Sequence, residues 1–327
     1  MAITSKEIAE LCGVSRGTVD RALNGKDRIS PKTRDRILAV AKEMGYHKDM
    51  LARGLVKGKT MYIGVVVFDI RNHYFSQLVN AIELEAGTKN YFINIALHEK
   101  DKDKEYQLIN SLVAHRVDGL LVCPVNKGKE FEKFLLNLQI PTVIIGNYVS
   151  NKLPYIGIDE KQAAIDAVNL LASKGYETII FVCPPLADRE KENIYAHEQR
   201  TYGFIDATRQ QNLEGIIIST WDYLHELDTI LKCHKTKIAV LCSGDIYALQ
   251  VMQHLRVQSV QIPSEVGIMG FDNIDMLEFI NPALTTISNS IEQVGRTAVN
   301  MLIEKMNEKS VNMVTLVPHE IIDRDSA

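Results

Sequence analysis

A group of basic and polar side chains stands close together near the start of the chain. Arg16, Gly17, Thr18, Asp20 and Arg21 belong to the segment VSRGTVDRAL, which follows the segment KEIAELCG. Side chains near the N-terminal part of such a second helix reach base edges in the major groove of DNA. Arginine suits guanine, and a carboxylate accepts from the N4 amino group of cytosine. The pattern predicts a DNA-binding helix-turn-helix; the alternative left open is a generic three-helix cap.

Three short helices must position these side chains, and the sequence marks their ends. Thr4 with Glu7 forms a capping-box pattern, and Ser15 and the pair Ser30-Pro31 are typical starts of the next two helices. Glycine follows each predicted helix, as expected for a left-handed C-terminal residue. The residues expected to face inward are Ile8, Ala9, Leu11 and Cys12 in the first helix, Val19, Ala22 and Leu23 in the second, and Ile37, Val40, Ala41 and Met44 in the third.

Charge is divided unevenly along the 327 residues. Residues 1–60 contain 13 Lys and Arg against 7 Asp and Glu, whereas the rest of the chain contains 24 against 34. The net charges are therefore +6 and −10. Such an asymmetry indicates that the N-terminal part meets a polyanion and that the remainder does not.

The pattern changes after residue 60 to short apolar runs separated by segments long enough for crossover helices. Near-continuous apolar strands that alternate with helices are typical of buried parallel sheets. Two successive sets of four predict an α/β domain of two doubly wound lobes, with a ligand site beyond the carboxyl ends of the strands. The runs are 61–68, 91–97, 119–123, 142–146, 178–183, 215–219, 238–242 and 266–270.

Other chemistries find little support. The five cysteines include no C-x-x-C pair, which favours reduced thiols in a cytoplasmic protein, and the N-terminus lacks the pattern of a signal peptide. Residues 54–60 resemble a phosphate-binding loop but are one residue short between the glycines and follow no strand. The nine histidines are scattered, so we expect no metal site. The sequence contains no G-x-G-x-x-G and no histidine pair at i, i+4, so we expect no cofactor and no enzyme activity.

The chain resembles the LacI/GalR family of bacterial transcriptional regulators. ITSKEIAELCGVSRGTVDRALNG, ISPKTRDRILAVAKEMGY and LARGL follow the family's N-terminal part, and VDGLLV, IPTVIIG, SGDIYAL, GFDN and NPALTTI extend the match over the chain. The resemblance implies a helix-turn-helix domain at 1–47, a hinge helix and linker at 48–60, and an effector-binding and dimerisation domain at 61–327. That last domain would divide into an N-subdomain of about 61–159 with 290–318 and a C-subdomain of about 160–289 with 319–327.

For the DNA side, Leu55 resembles the leucine that enters the minor groove at the operator centre, where an apolar wedge unstacks a base step. The family commonly has serine where Asp20 and Gly54 stand, which favours an altered base preference and a looser hinge helix. The DNA contacts expected on motif and resemblance together are Thr4, Ser15, Arg16, Gly17, Thr18, Asp20, Arg21, Asn24, Arg53 and Leu55.

For the effector, the resemblance implies a site of carboxylates, one guanidinium and aromatic rings. Trp221 is the only tryptophan and follows a strand, where its ring could stack on a sugar or a base. The implied contacts are Asp69, Asn72, Tyr74, Phe75, Asp159, Arg200, Trp221, Asp245 and Asp272.

The expected effector is a sugar or sugar derivative, with a nucleobase or nucleoside as the alternative.

The expected assembly is a homodimer or larger even oligomer on a near-palindromic operator, because a two-fold pair doubles the DNA contacts. Two hypotheses from other classes of protein stay open. In one, the chain is a solute-binding carrier with an unrelated N-terminal domain, and in the other it is a nucleotide-dependent enzyme.

Overall fold

The described structure consists of two units, Met1–Thr60 and Met61–Ala327, which we call the head and the body. The computed structural model describes residues 3–46, 58–234 and 236–327. The predicted hinge residues 48–57, with Arg53, Gly54 and Leu55, lie outside these ranges.

The head contains three helices whose starts are fixed by side-chain caps. Thr4, Ser15 and Ser30 each accept a hydrogen bond from the backbone N–H three residues further on, and Glu7 completes the capping box with Thr4. Gly13, Gly25 and Gly45 follow the helices in the left-handed conformation, as the sequence predicts. The helices are α1 Ser5–Leu11, α2 Arg16–Leu23 and α3 Pro31–Glu43.

Most of the predicted head core is buried. Ile8, Val19 and Ile37 are completely buried and pack together with Ala9, Cys12, Ala22 and Ala41. Two predictions were wrong, because Leu11 is 60% exposed and Met44 is 48% exposed. Leu11 is the last residue of α1 and Met44 is the cap that follows α3, so the other helices cover neither of them.

The first lobe of the body is built on a six-stranded parallel sheet. Its strand order is β11-β5-β4-β3-β1-β2, and every neighbouring pair is parallel. The central strands β3 and β4 are buried along their whole length, as expected for a sheet covered on both faces. The strands are β1 Tyr62–Val67, β2 Phe92–Leu97, β3 Gly119–Val122, β4 Thr142–Ile145, β5 Tyr155–Ile158 and β11 Val314–Val317.

The second lobe repeats this plan with the strand order β12-β10-β9-β8-β6-β7. Its neighbouring pairs are parallel except β10 with β12, which is antiparallel. The strands are β6 Thr178–Val182, β7 Glu214–Ile218, β8 Ile238–Cys242, β9 Val266–Asp272, β10 Thr285–Ser288 and β12 Glu320–Ile322.

Helices cover the sheets of both lobes. No helix among the described residues is long and apolar enough to cross a membrane. Short 3-10 helices occupy Pro184–Asp188 and Asp275–Phe279. The body helices are α4 His73–Thr88, α5 Lys102–Ala114, α6 Gly128–Asn137, α7 Glu160–Ser173, α8 Tyr195–Gln210, α9 Tyr223–Cys233, α10 Asp245–Val257 and α11 Ile291–Met306.

The predicted fold class, a helix-turn-helix head with a body of two doubly wound lobes, is confirmed. Each of the eight predicted apolar runs overlaps a strand, the first four in the first lobe and the others in the second. Four strands were not predicted, namely β5, β10, β11 and β12, which are only three or four residues long. The chain passes between the lobes after β5, after β10 and between β11 and β12.

One glycine fixes the close approach of α7 and α8. A Cβ atom added at Gly203 would overlap the carbonyl oxygen of Lys161 and lie 3.0 Å from the Cβ of Ala164. Only a residue without a side chain fits against the backbone of α7 at this point. The approach brings the middle of α8 beside the first turn of α7, where Arg200 of α8 meets Glu160 of α7.

The head core yields a stability prediction. Ile37→Ala removes a completely buried side chain and is expected to cost about 2–5 kcal/mol. Since about 1 kcal/mol shifts the melting temperature of a domain this small by about 4–8 °C, calorimetry of the full chain should show the head transition lowered by at least about 8 °C. The matched control is Leu38→Ala, because Leu38 is 43% exposed and should cost little. An unchanged head transition in Ile37→Ala would contradict this core.

Candidate functional site: a polar helix in the head and a cavity between the lobes

The predicted DNA-contacting residues of the head lie at and near α2. Arg16, Gly17 and Arg21 are exposed. Arg16 donates from Nε to the Ser5 hydroxyl at 3.1 Å, which ties the start of α2 to the start of α1. The Ser15 and Thr18 hydroxyl oxygens are 2.9 Å apart. The structure thus gathers polar groups of both helices into one region of the head.

Other members of the predicted set bond to one another. Thr4 is engaged with Glu7 in the capping box. Asn24 donates from Nδ2 to the Asp20 carboxylate at 2.7 Å, and Lys26 Nζ lies 3.7 Å from the same carboxylate. The Asp20 charge is therefore partly balanced within the head. Arg53 and Leu55 lie outside the described residues.

A cavity of about 160 Å³ lies between the two lobes of the body. Its walls are the segments that follow the carboxyl ends of the parallel strands, together with the starts of α4, α7 and α8. In folds of this kind, ligands bind at the carboxyl ends of the strands. Of the nine predicted effector residues, the structure brings six to the cavity wall: Asp69, Asn72, Tyr74, Phe75, Arg200 and Asp272.

Arg200 is the buried cation of this cavity. It donates from Nε to Glu160 Oε2 at 2.7 Å and from Nη1 to the Ser243 carbonyl oxygen at 2.6 Å. Its Nη2 lies 3.8 Å from Asp272 Oδ1, and its guanidinium carbon lies 3.6 Å from the centre of the Phe271 ring. Burial alone would lower the pKa of Arg200, but the Glu160 and Asp272 carboxylates outweigh it and the pKa is raised. The guanidinium is therefore charged and held in one orientation.

Asp272 stands at the end of β9 with an unusual backbone. Its φ of +121° lies in a region that costs a residue with a side chain about 1–3 kcal/mol. Asn289 Nδ2 donates to Asp272 Oδ1 at 2.6 Å, which helps to hold this conformation. Burial raises the pKa of Asp272 well above its ordinary value, against the opposing effect of Arg200. Strain of this kind is common where a side chain is held for a ligand.

Aromatic rings form the apolar part of the wall. The Phe68 and Phe75 rings stack with their centres 5.0 Å apart, and Tyr74 meets Phe75 edge-on at 5.1 Å. Tyr247 from the second lobe also lines the cavity. Such a surface packs against an apolar ligand face, while the carboxylates and Arg200 bind polar groups.

Asp69 and Asn72 combine a local role with their place on the wall. Asp69 Oδ1 accepts from the backbone N–H groups of Arg71 and Asn72 at 2.7 and 2.8 Å. Asn72 caps α4 by accepting from the Tyr74 N–H. Both side chains are thus oriented by the turn between β1 and α4.

Three predicted residues are not on the wall of this cavity. Asp159 caps α7 by accepting from the Gln162 N–H at 2.9 Å. Asp245 is completely buried and accepts from the Thr286 hydroxyl at 2.6 Å and the Ile274 N–H at 3.0 Å. Trp221 is 50% exposed and donates from Nε1 to Asp188 at 2.9 Å. The described contacts of these three side chains are structural.

Sequence reasoning missed several wall residues. Lys100 reaches the cavity from the first lobe, with Nζ 3.7 Å from Glu192 and 5.0 Å from the centre of the Trp221 ring. Ser243 directly follows β8, so its place at a strand end could have identified it. His197 lies one helical turn before Arg200, which places both on the same side of α8.

Hydrogen bonds beside the cavity connect the lobes. Asn193 of the second lobe donates from its backbone to the Val125 carbonyl oxygen at 2.8 Å and from Nδ2 to those of Asn126 and Tyr148, each at 3.1 Å. Asn147 of the first lobe donates from Nδ2 to the Asn193 carbonyl oxygen at 2.8 Å. Amide groups of the two lobes are therefore paired along this edge.

A buried carboxylate fixes the first-lobe side of this connection. Glu105 of α5 is completely buried and accepts from the Val125 N–H at 3.2 Å and from the Asn126 N–H and Nδ2 at 2.9 and 2.7 Å. Burial raises the pKa of Glu105 to about 7, although these hydrogen bonds oppose the rise. The loop that meets Asn193 is thus held by a group that titrates near neutral pH.

A helix-turn-helix head joined to a two-lobed body with a cavity between the lobes defines a class of transcriptional regulator. The family model for bacterial regulatory proteins of the lacI family matches residues 4–49, and the periplasmic binding protein-like domain model matches residues 168–327. The chain therefore carries a DNA-binding domain of the lacI family and a periplasmic binding protein-like domain, and it is a DNA-binding transcriptional regulator.

Relatives with assigned names agree along the full length. Catabolite control protein A of Priestia megaterium is 29% identical over 100% of this chain and 99% of the relative. The HTH-type transcriptional repressor CytR of Escherichia coli K12 is 29% identical over 99% of this chain and 96% of the relative. These relatives are named as regulators, which agrees with the prediction that the chain is not an enzyme.

Solved structures show the same fold. The lac repressor dimer bound to operator and the anti-inducer ONPF matches with a TM-score of 0.87 at 21% identity, over 100% of this chain and 99% of that one. A periplasmic binding protein/LacI transcriptional regulator of Alkaliphilus metalliredigens, complexed with D-xylulofuranose, matches with a TM-score of 0.72 at 28% identity, over 81% of this chain and 98% of that one.

Glu105 yields a prediction of pH dependence. Its folded pKa of about 7 lies above the ordinary value of about 4.3, so between these values the folded protein holds a proton that the unfolded chain releases. The contribution of Glu105 to stability is therefore present at low pH and is lost as pH rises through this window. Glu105→Gln cannot titrate, so the melting temperature of the wild type relative to this variant should fall between about pH 4.3 and 7.

The matched control for this experiment is Glu130→Gln. Glu130 is exposed on α6, and its replacement should leave the difference in melting temperature nearly constant with pH. A wild type that gains stability over Glu105→Gln as pH rises would contradict a raised pKa for Glu105.

Proposed function

We propose that the protein is a repressor that binds a near-palindromic operator as a homodimer in the cytoplasm and changes its operator affinity when a small molecule binds between the lobes. The observation that carries the proposal is the cavity around Arg200, in one chain with a LacI-family head. The effector favoured by the aromatic wall and the fixed polar groups is a sugar or sugar derivative. A nucleoside or nucleobase is the second candidate, because the same rings stack on bases.

The head supports base reading by α2. Arg21 is exposed, whereas Asp20 is engaged with Asn24 and Lys26. An exposed arginine in the recognition helix donates two parallel hydrogen bonds to guanine, which distinguish that base from the others. Leu55 and Arg53 remain proposed contacts on the family resemblance alone.

The first lobe supports assembly through an apolar surface. Leu84 of α4 is 62% exposed, and Phe92 and Ile95 of the edge strand β2 are 61% and 47% exposed. Contiguous apolar surface and an unpaired strand edge are features that a partner covers. Pairing two chains brings two heads to one operator and doubles the phosphate and base contacts.

Arg21→Ala tests base reading. The loss of a two-bond contact to guanine is expected to cost about 1–3 kcal/mol of operator binding and to relax the preference at one base pair of each half-site. The operator would be selected from a randomised duplex pool with the full-length protein, and both variants would then be titrated against single-base substitutions. Lys42→Ala is the control, because it removes an equal charge from the end of α3. An equal loss on every sequence would show that Arg21 contacts only the backbone.

Asp272→Asn tests the sensor. The amide keeps the shape and can still accept from Asn289, but it removes the carboxyl group that faces Arg200. A hydrogen bond lost at a buried site costs about 1–3 kcal/mol, so the response of operator binding to ligand should weaken about five- to hundredfold while operator binding itself remains. The ligand would be chosen by thermal shift from a panel of sugars and nucleosides.

Asp103→Asn is the control for this change, because Asp103 is exposed on α5 away from the cavity wall. If Asp272→Asn responded to the ligand as the wild type does, Asp272 would not contact the effector.

A further inference from the structure

We propose that the cavity selects an uncharged polyhydroxy ligand and that Ser243 and His197 are specificity-determining residues that bond to one of its hydroxyl groups. This inference rests on the proposed sensor function and adds to it a charge requirement and two residues. Neither residue belongs to the set of contacts implied by the family resemblance.

The balance of charge on the cavity wall disfavours an anionic ligand. The described wall residues include four carboxylates, on Asp69, Glu160, Glu192 and Asp272, and two cations, on Lys100 and Arg200. Each cation already faces a carboxylate: Arg200 lies 2.7 Å from Glu160, and Lys100 lies 3.7 Å from Glu192. A phosphate or carboxylate would have to displace these partners and leave a buried negative charge beside its own.

Among the described residues, two buried polar atoms at the cavity have no nitrogen or oxygen partner, namely the Ser243 hydroxyl oxygen and His197 Nδ1. The Ser243 side chain interacts with the Cys183 thiol, which is only a weak hydrogen-bonding group. Ser243 is completely buried, and both residues line the cavity. A buried polar group left without a partner costs about 1–3 kcal/mol, which a ligand that supplied the partner would recover.

The protonation state of His197 sets what that partner can be. Burial, with the charges of Arg200 and Lys100, lowers the pKa of His197 well below its ordinary value. The imidazole is therefore neutral at pH 7 and offers one N–H donor and one acceptor nitrogen. A serine hydroxyl also both donates and accepts. A ligand hydroxyl, which does the same, satisfies either atom without adding charge.

The two residues reach the cavity from neighbouring elements. His197 and Arg200 are three residues apart on α8 and project from the same side of that helix. Arg200 Nη1 donates to the Ser243 carbonyl oxygen at 2.6 Å, which holds the segment after β8 against α8. The proposal places one ring substituent of the ligand between these two elements.

The aromatic part of the wall fits the carbon face of a sugar or cyclitol ring. Phe68, Phe75 and Tyr74 form a continuous aromatic surface, with ring centres 5.0 and 5.1 Å apart in successive pairs. A ring with hydroxyl groups at its edge and C–H groups on its face matches an apolar wall combined with a few polar groups. A free nucleobase has the face but not the hydroxyl groups.

The charge requirement is tested with matched ligands on the full-length protein. The probes are neutral monosaccharides and cyclitols, each beside its phosphate ester and its uronic or aldonic acid, together with free nucleobases. Binding is detected by thermal shift and titrated by the fluorescence of Trp221, the only tryptophan, which lies 5.0 Å from Lys100 at the cavity edge. We expect a neutral compound to bind and its charged derivatives to bind at least tenfold more weakly.

The outcomes separate the two proposals. A charged derivative or a nucleobase that binds as well as the neutral compounds and changes operator affinity would overturn the inference and leave the sensor function standing. Binding by no class of probe would overturn the sensor function together with the inference.

The hydroxyl-reading role is tested with deoxy analogues of the best neutral ligand. In the wild type, removal of one particular hydroxyl should weaken binding about ten- to hundredfold, because two buried groups lose their partner. In Ser243→Ala and in His197→Phe, the parent compound should bind more weakly than to the wild type. The difference in affinity between the parent compound and the deoxy analogue should also become smaller. His197→Asn, which keeps a polar atom, should restore part of the difference.

Ser173→Ala is the control, because Ser173 is exposed on α7 and should leave all affinities unchanged. Thermal melting without ligand shows whether each variant is folded. The comparison of parent compound and deoxy analogue can be made as long as one of the two cavity variants folds. A folded variant with the same parent-to-analogue ratio as the wild type would show that its residue does not read the hydroxyl.

Discussion

The buried ion pair between Arg200 and Glu160 is the interaction on which the body depends. Removing two such charges from water costs several kcal/mol per ion, and only close geometry with further hydrogen bonds offsets it. Here the Ser243 carbonyl, the Asp272 carboxylate and the Phe271 ring complete the surroundings of the guanidinium. Because these groups come from α7 and from the ends of β8 and β9, one side chain holds three elements of the cavity in register.

The same ion pair stands close to a passage between the lobes. Glu160 is the first residue of α7, directly after the chain leaves β5 of the first lobe. Elsewhere between the two lobes, His73 Nδ1 lies 3.2 Å from Asp275 Oδ1. Asn193 Nδ2 also donates hydrogen bonds to carbonyl groups of the first lobe. A buried apolar cluster includes residues of both sheets. Polar contacts join the lobes beside it, and contacts of this kind can exchange between two arrangements at small cost.

The sequence predicted the long buried strands and the capped helices because their signals are local. Apolar runs of five or more residues and capping residues need no knowledge of distant parts of the chain. The strands β3 and β4 are only four residues long but lie in apolar runs of five residues. The strands β5, β10, β11 and β12 are equally short or shorter and lie in no such run, and their pairing is set by the sheet that receives them. Leu11 and Met44 were wrongly predicted to be buried. The periodicity of a helix shows which side faces the core, but it does not show at which residue the neighbouring helices cease to cover that side.

The candidate site was less predictable for a related reason. Asp159, Asp245 and Asp272 all stand at or just after strand ends, yet one caps a helix, one is buried among backbone and threonine groups, and one faces Arg200. A shift of a single residue turns a side chain to the other face of a sheet, so residue type alone does not decide which aspartate meets the cavity. His197 and Ser243 are ordinary residues in sequence; only the packing of α8 against the end of β8 shows that their polar atoms lack nitrogen or oxygen partners among the described residues.

An uncharged effector would also limit how the two units can communicate. The segments 1–60 and 61–327 carry net charges of +6 and −10, and a neutral ligand changes neither. Its effect on DNA binding therefore could not come from altered attraction to phosphate and would have to come from a changed arrangement of the lobes. A coupling of about 1–3 kcal/mol is typical of such changes, and it corresponds to the exchange of only a few hydrogen bonds. The Asn193 contacts and the His73–Asp275 pair are hydrogen bonds between the lobes, and Asn193 also lines the cavity, where a ligand bound to both lobes would meet it.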